Sequence, residues 1–210
     1  MSIKEGSVGG FIDQLAERQA TPAGGAVATL CAAQAAALIR MVALYSSKRR
    51  DTNNIIDIAV VPTLAAECDL LRGRSLELVE QDVVAFDAVA AAYSLSQETK
   101  KERLGRSAII QVALVDATEP QAAIAKIGVR LVFLADQLLP FVNPNVIVDL
   151  AAAVEATRAA LSIARLNVEA NVSQIVDPRA RTAFSSRLSG VNHAIDRAEA
   201  ISADILRDKR

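Results

Sequence analysis

The stretch Thr21-Pro22-Ala23-Gly24-Gly25 runs directly into the segment AVATLCAAQAAALIRMVALY at residues 26–45, which carries a single charged side chain. A segment of this length and composition predicts a buried helix. The first turn of a helix presents free backbone N–H groups and the positive end of the helix dipole. Because small residues leave that turn uncovered, the sequence predicts a binding site for an anionic or polar ligand at the centre of the molecule.

The chain has 210 residues and is 52% hydrophobic but only 3% aromatic, with no Trp. A core of Ala, Val, Leu and Ile lets helices approach closely, and this length suits one sizeable core. We therefore predict an all-α fold: a single-domain multihelical bundle over residues 1–210, with the Ala-rich segment as its central buried helix. We expect a homodimer, because an interface between two copies buries the remaining apolar surface.

The net charge of −1 gives no basic surface for nucleic acid, so we expect no nucleic-acid partner. Residues 26–45 are the candidate membrane span. However, this segment contains the polar residues Thr29, Gln34 and Arg40, and Ala is only weakly hydrophobic, so we expect a central helix of a soluble protein with no membrane partner. The N-terminus shows no secretion signal, and both cysteines lie in apolar helical segments, as buried free thiols do. These observations predict a cytoplasmic protein.

Helical periodicity of apolar residues runs nearly from end to end, and nothing in the chain indicates a strand. Ser7 is a candidate cap for a short first helix, Pro22 suits the first turn of the second, and Thr99-Lys100-Lys101-Glu102 has the form of a capping box. Pro120 predicts the end of the helix that this box begins. The helices predicted after the first cover residues 22–46, 55–93, 99–119, 120–139, 144–176 and 178–205.

Asp82 falls on the apolar face of the helix predicted over residues 55–93. The stripe is Leu64, Cys68, Leu71, Ser75, Leu78, Asp82, Ala85 and Val89. A buried carboxylate must be paired, hydrogen-bonded or have a raised pKa, and a raised pKa is what a general acid or base needs. The pattern leaves two roles open for Asp82: proton transfer in a site, or a structural carboxylate bonded to a helix end or an arginine.

Asp149 lies in the first turns of the helix predicted from residue 144, directly after Asn143-Pro144-Asn145. Asp149 and Asn167 share a face of that helix, but about five turns, or about 27 Å, separate them. If both are functional, they belong to different ends of a site or to sites completed across a dimer; the alternative for Asp149 is to complement the helix dipole. The single histidine, His193, has no ligand cluster at metal-binding spacing, so we expect no metal.

Five short motifs follow one another along the chain. They are Thr21-Pro22-Ala23-Gly24-Gly25, Met41-Val42 with Lys48, Asp82-Val83-Val84-Ala85-Phe86, Asn143-Pro144-Asn145 with Asp149, and residues 164–168 with Asn171 beyond. In this order, over residues 7–177, they resemble the family of the cyclodeaminase domain of formiminotransferase-cyclodeaminase, which includes bacterial methenyltetrahydrofolate cyclohydrolases. The chain departs from the family pattern at Ala23, Val142 and Val148, and it has Leu95-Ser96-Gln97 where the family commonly has Leu-Pro-Lys.

The resemblance implies an all-α, dimeric enzyme that hydrolyses 5,10-methenyltetrahydrofolate to 10-formyltetrahydrofolate, with no metal and no cofactor beyond the folate substrate. It implies Asp82 as the first candidate, and Asp149 as the second, for the group that removes a proton or faces the amidinium. The substrate-binding residues that it implies are Thr21, Gly24, Gly25, Lys48, Asn143, Asn145 and Asn167. Two alternatives stay open: cyclodeamination of formiminotetrahydrofolate with release of ammonia, and a non-catalytic folate-binding or helical interaction protein of the same family.

Overall fold

The computed structural model describes residue 3, residues 5–47 and residues 56–208. Every regular element in these ranges is helical, as the periodicity predicts. The α-helices are, in chain order, α1 (Val8–Ala16), α2 (Gly24–Ser46), α3 (Ile56–Tyr93), α4 (Lys100–Leu138), α5 (Ile147–Gln174), α6 (Pro178–Arg187) and α7 (Val191–Asp208). Two short 3-10 turns, Leu139–Phe141 and Pro144–Val146, connect α4 to α5.

Helix α2 lies at the centre of the bundle, where it contacts α3, α4 and α5. Its alanines fill the core, and Ala28, Ala32, Ala35 and Ala36 have 0% of their surface exposed. Within the described ranges α2 is the helix that is long and apolar enough to cross a membrane by length and composition, and 50% of its apolar window is buried in the bundle. The prediction of a central buried Ala-rich helix is confirmed.

Helices α4 and α5 are in close contact at Gly128. A Cβ placed on Gly128 would lie 2.6 Å from Cδ2 of Leu161. Leu161 itself is completely buried. The side chain of Leu161 therefore occupies the space that glycine leaves open, and this contact sets the spacing of the two helices.

The prediction that Pro22 lies in the first turn of the second helix is wrong. The helix begins at Gly24, and Pro22 lies before it, after a cis peptide bond with Thr21. Ala23, the N-cap residue, has the extended backbone that precedes a helix start. The whole segment from Thr21 to Ala23 is therefore a turn that leads into α2.

The predicted break at Pro120 is also wrong, because α4 continues through Pro120 from Lys100 to Leu138. A proline removes one backbone hydrogen bond and crowds the preceding turn. Helix α4 packs against α2, α3, α5, α6 and α7, so tertiary packing outweighs this local cost. The capping box at its start is confirmed: the hydroxyl of Thr99 accepts from the Glu102 backbone N–H at 3.2 Å, and the Glu102 carboxylate accepts from the Thr99 N–H at 2.8 Å.

The last predicted helix is in fact two helices. Helix α6 ends at Arg187 and α7 begins at Val191, and between them Gly190 has a φ of +83°. This left-handed conformation is favourable for glycine and cannot continue a right-handed helix. The chain therefore changes direction at Gly190.

Helix α1 is capped as predicted, since the hydroxyl of Ser7 accepts a hydrogen bond from the Gly10 N–H at 3.0 Å. Two of its apolar side chains remain uncovered: Val8 is 80% exposed and Ile12 is 54% exposed. A cavity of about 340 Å³ lies between α1 and the bundle, lined in part by Phe11 and Cys31. Helix α1 is therefore attached to the edge of the core and buries no residue fully.

Candidate active site

Asp82 lies in the core, as the apolar stripe of α3 predicts, and only 9% of its surface is exposed. Its carboxyl group lies against the first turn of α2. A Cβ placed on Gly25 would lie 2.6 Å from Cγ of Asp82 and would collide with both carboxylate oxygens. Glycine at position 25 is therefore what admits the Asp82 carboxyl to the start of the central helix.

The first turn of α2 has no side-chain cap. Ala23, at the N-cap, has no side-chain oxygen that could accept from the first backbone N–H groups of the helix. The segment before α2 is held to α3, because the hydroxyl of Thr21 donates to Oδ1 of Asp87 at 2.9 Å. Uncapped N–H donors and a buried carboxyl group thus lie next to each other at one end of the central helix. The N–H donors suit an anionic or polar group of a ligand.

Gln121 of α4 completes this arrangement. It is 1% exposed, and its Nε2 donates to Oδ1 of Asp82 at 2.5 Å. Its other amide atom, Oε1, is buried and has no hydrogen-bond partner among the described residues. The sequence pattern does not single out Gln121, because Pro120 predicts the end of a helix at that point. A continuous helix puts Gln121 two turns after Leu114 and two turns before Gly128, on the buried face.

Burial raises the pKa of the Asp82 carboxyl above its ordinary value, and the hydrogen bond from Gln121 lowers it in part. Desolvation disfavours the charged form of a carboxyl group, whereas a donated hydrogen bond favours it. Asp82 is therefore a group that exchanges a proton at higher pH than an exposed aspartate does. Among the described residues, no group of three or more His, Cys, Asp or Glu side chains could hold a metal ion.

Asn167 lies at the same end of the bundle as Asp82. The side chain of Ile163 on α5 is the nearest group to a Cβ placed on Gly24, at 4.0 Å, and Asn167 follows Ile163 by one turn. Nδ2 of Asn167 donates to the Ile163 carbonyl at 2.9 Å. The structure therefore places five of the predicted residues at the end of the bundle where α2 begins. They are Thr21, Gly24, Gly25, Asp82 and Asn167.

The remaining described candidates lie at the opposite end of α2. There the hydroxyl of Ser46 accepts from the Asn143 N–H at 3.0 Å. The amide of Asn143 donates to the Tyr45 carbonyl at 3.3 Å and accepts from the Asn145 N–H at 3.0 Å. Asp149 follows in the first turn of α5, where its charge complements the helix dipole.

The two groups of candidates do not meet within one subunit. Helix α2 has 23 residues, and at about 1.5 Å per residue its ends are about 35 Å apart. The separation between Asp149 and Asn167 inferred from the sequence agrees with this arrangement. Lys48 lies outside the described residues.

These features define a class: an all-helical protein whose central Ala-rich helix begins, uncapped, against a buried carboxyl group. The chain belongs to the formiminotransferase-cyclodeaminase family, whose model matches residues 7–190. The resemblance inferred from the five motifs is thereby confirmed.

Known proteins of this family include relatives in bacteria and animals. The chain is 35% identical over 168 residues to the methenyltetrahydrofolate cyclohydrolase of Methylorubrum extorquens, with 80% of this chain and 79% of that protein covered. It is 28% identical over 193 residues to the mouse formimidoyltransferase-cyclodeaminase, covering 90% of this chain but only 35% of that protein. The crystal structure of formiminotetrahydrofolate cyclodeaminase from Thermotoga maritima superimposes with a TM-score of 0.85 at 25% identity, covering 98% of both chains.

Proposed function

We propose that this protein is an enzyme of one-carbon folate metabolism that hydrolyses 5,10-methenyltetrahydrofolate to 10-formyltetrahydrofolate. The observation that carries the proposal is the buried carboxyl of Asp82, which lies against Gly25 at the uncapped start of α2 and is hydrogen-bonded by Gln121. The cyclohydrolase relative from Methylorubrum extorquens, which aligns over most of both chains, supports the choice of reaction.

The chemistry needs one group that exchanges protons beside an electrophilic carbon. The methenyl carbon of the substrate belongs to a cyclic amidinium cation, so water adds to it when a base removes a proton from that water. Asp82 is the base in this scheme. The O–H proton of the adduct is then lost, the ring nitrogen N5 is protonated as its bond to the carbon breaks, and the formyl group stays on N10. One water is consumed and one proton is released, and the reaction requires no metal and no cofactor beyond the folate.

The other residues at the start of α2 suit the binding of the substrate. The backbone N–H groups of Gly24 and Gly25 are donors for polar groups of the pterin or for a carboxylate. Asn167 lies beside them on α5, and Thr21 fixes the turn against α3 through Asp87. We further propose a cytoplasmic location, supported by the two unpaired cysteines, Cys31 and Cys68.

A second candidate reaction is cyclodeamination of formiminotetrahydrofolate with release of ammonia. The crystal structure from Thermotoga maritima, which covers 98% of this chain, favours it, as does the mouse relative. The same Asp82 carboxyl would then transfer a proton to the leaving amine instead of taking one from water. The two reactions share a folate centre and differ in the leaving group.

We propose that the protein works as a homodimer. Asp82 and Asp149 lie at opposite ends of α2, so a site that uses both needs a second copy to bring them together. Large apolar side chains that a partner could cover are exposed on α3 and α4: Val84 is 70%, Leu104 is 65% and Val112 is 63% exposed. An interface of this kind is isologous, with each copy contributing the same surface.

Mixing two inactive variants tests the shared site. If Asp82 and Asp149 meet across a dimer, refolding a mixture of Asp82→Asn and Asp149→Asn subunits restores about a quarter of the wild-type turnover, because half of the dimers are mixed and each of these has one intact site. A site within one subunit gives no recovery. Sedimentation of the wild-type protein gives the mass of the assembly, and a monomer would contradict the dimer.

The assay for the reaction follows the ultraviolet chromophore of 5,10-methenyltetrahydrofolate in a buffer that keeps spontaneous hydrolysis slow. We expect loss of the chromophore at a rate proportional to the protein concentration. Turnover of formiminotetrahydrofolate alone, with release of ammonia, would assign the second reaction. Folate binding without turnover of either compound would assign a non-catalytic role, and no binding would contradict the folate site altogether.

A further inference from the structure

Gln121 is almost completely buried. Burying an amide group destabilises the folded state unless both of its polar atoms are hydrogen-bonded. Its Nε2 donates to Oδ1 of Asp82 at 2.5 Å, which satisfies one of them. Its Oε1 is bonded to the same carbon as Nε2 and therefore lies beside the Asp82 carboxyl, and it has no partner among the described residues. An acceptor left unpaired in the core, next to a carboxyl with a raised pKa, indicates a donor that arrives with the ligand.

We propose that Gln121 is the positioning residue of this site: it holds Asp82 by one oxygen and orients the attacking water through its own carbonyl oxygen. This inference rests on the proposed hydrolysis. Since Nε2 donates to Oδ1, the proton taken from water goes to Oδ2. The second hydrogen of that water is donated to Oε1 of Gln121. With both hydrogens held, a lone pair of the water oxygen is free to attack the methenyl carbon.

The pKa of Asp82 is shifted by burial and by the hydrogen bond from Gln121, and not by a neighbouring charged group. Helix α3 packs against α2 and α4. Within six residues of Gly25, Asp82 and Gln121 along these three helices, the ionisable residues are Cys31 on α2, Glu77, Glu80 and Asp87 on α3, and Asp116, Glu119 and Lys126 on α4. Asp116 and Glu119 line a groove between α3 and α4, where Glu119 pairs with Arg187. Asp87 accepts from Thr21, and the causes of the shifted pKa of Asp82 are burial and the Gln121 hydrogen bond.

The test compares two variants of Gln121 with a matched control. Gln121→Met keeps the length of the side chain and removes both polar atoms, while Gln121→Glu keeps the shape and places a second carboxyl beside Asp82. Thr118→Val is the control: Thr118 is equally buried, lies one turn earlier on α4, and bonds the Leu114 carbonyl at 2.6 Å. The readouts are the pH profile of kcat and, without substrate, the carbon-13 titration of the Asp82 carboxyl.

We expect Gln121→Met to lower kcat about 10-fold, the value of one hydrogen bond to a charged group. The acidic limb of the profile moves to higher pH, because the hydrogen bond that favours the carboxylate is lost. Gln121→Glu moves the limb in the same direction through repulsion between carboxylates. Thr118→Val lowers the unfolding temperature but leaves the limb in place.

An acidic limb and an Asp82 titration that are the same in Gln121→Met as in the wild type would overturn the proposal. So would equal shifts in Gln121→Met and Thr118→Val, since these would indicate a merely structural role. Absence of turnover in the wild-type protein would instead refute the proposed hydrolysis. The carboxyl titration separates the two failures, because it reports the contact between Gln121 and Asp82 without any substrate.

Discussion

Replacing Gly25 by alanine tests the contact on which the candidate site depends. The added Cβ would lie 2.6 Å from Cγ of Asp82 and still closer to its oxygens, so the carboxyl or the turn must move. Overpacking of this kind costs about 1–3 kcal/mol, and the better helix propensity of alanine offsets at most about 1 kcal/mol of it. With the full offset the net loss is up to about 2 kcal/mol, or a fall in Tm of up to about 8 °C for a domain of this size.

The same substitution displaces the carboxyl from Gln121 and from the uncapped turn. A displacement of about 1 Å in a reacting group lowers the rate by about 10², so we expect turnover of 5,10-methenyltetrahydrofolate to fall by that factor in the folded variant. The assay is thermal unfolding followed by circular dichroism, together with chromophore loss under saturating substrate.

Two other glycines are matched controls for Gly25→Ala. Gly73 lies on α3, and nothing lies within 4 Å of a Cβ placed there. Gly73→Ala should therefore raise Tm through helix propensity, by about 2–4 °C, and leave turnover unchanged. A Cβ on Gly24 would have only Ile163 within reach, at 4.0 Å, so Gly24→Ala should not lower Tm. If Gly25→Ala matched Gly73→Ala in both Tm and turnover, the close approach of Asp82 to α2 would be refuted.

Two further predictions concern stability. At neutral pH, Asp82→Asn should unfold at a temperature equal to or above that of the wild type, because a carboxyl whose pKa is raised on folding destabilises the folded state once the pH exceeds its unfolded pKa. The difference should shrink as the pH falls below the unfolded pKa, and a gap that widens in acid would contradict the raised pKa. Gly128→Ala should cost about 1–3 kcal/mol in urea unfolding, because its Cβ would lie 2.6 Å from Leu161. The double variant Gly128→Ala/Leu161→Ala should lose less unfolding free energy than the sum of the losses in the two single variants. A loss equal to that sum would argue against the contact.

The fold was predictable from the sequence because the helical pattern is set locally. The Ala-rich segment after the glycine turn is buried as its composition predicts, and the capping box at Thr99 begins α4. The predicted helix ends are wrong where tertiary packing or a single backbone angle determines whether a helix continues. Pro120 does not end α4, since the bundle holds the helix on several sides, and the positive φ of Gly190 divides α6 from α7.

The candidate site was predictable in part. Asp82 stood out because a carboxylate interrupts an apolar stripe, and its burial is confirmed. Gln121 did not, because its place on the buried face depends on a helix that continues through Pro120. Asp149 lies at the far end of α2 from Asp82 because α5 packs antiparallel to α2. The spacing of residues along the sequence does not reveal this packing. Residues distant in sequence meet only through such tertiary contacts, as Gly25, Asp82 and Gln121 do here.

We propose that Asp82 exchanges the proton in hydrolysis of 5,10-methenyltetrahydrofolate. The most direct measurement is chromophore loss with the wild-type protein and with Asp82→Asn, after circular dichroism has shown that both are folded. We predict acceleration in proportion to the wild-type concentration and a loss of about 10² or more in the variant, with folate binding retained. Turnover by folded Asp82→Asn at the wild-type rate would contradict it.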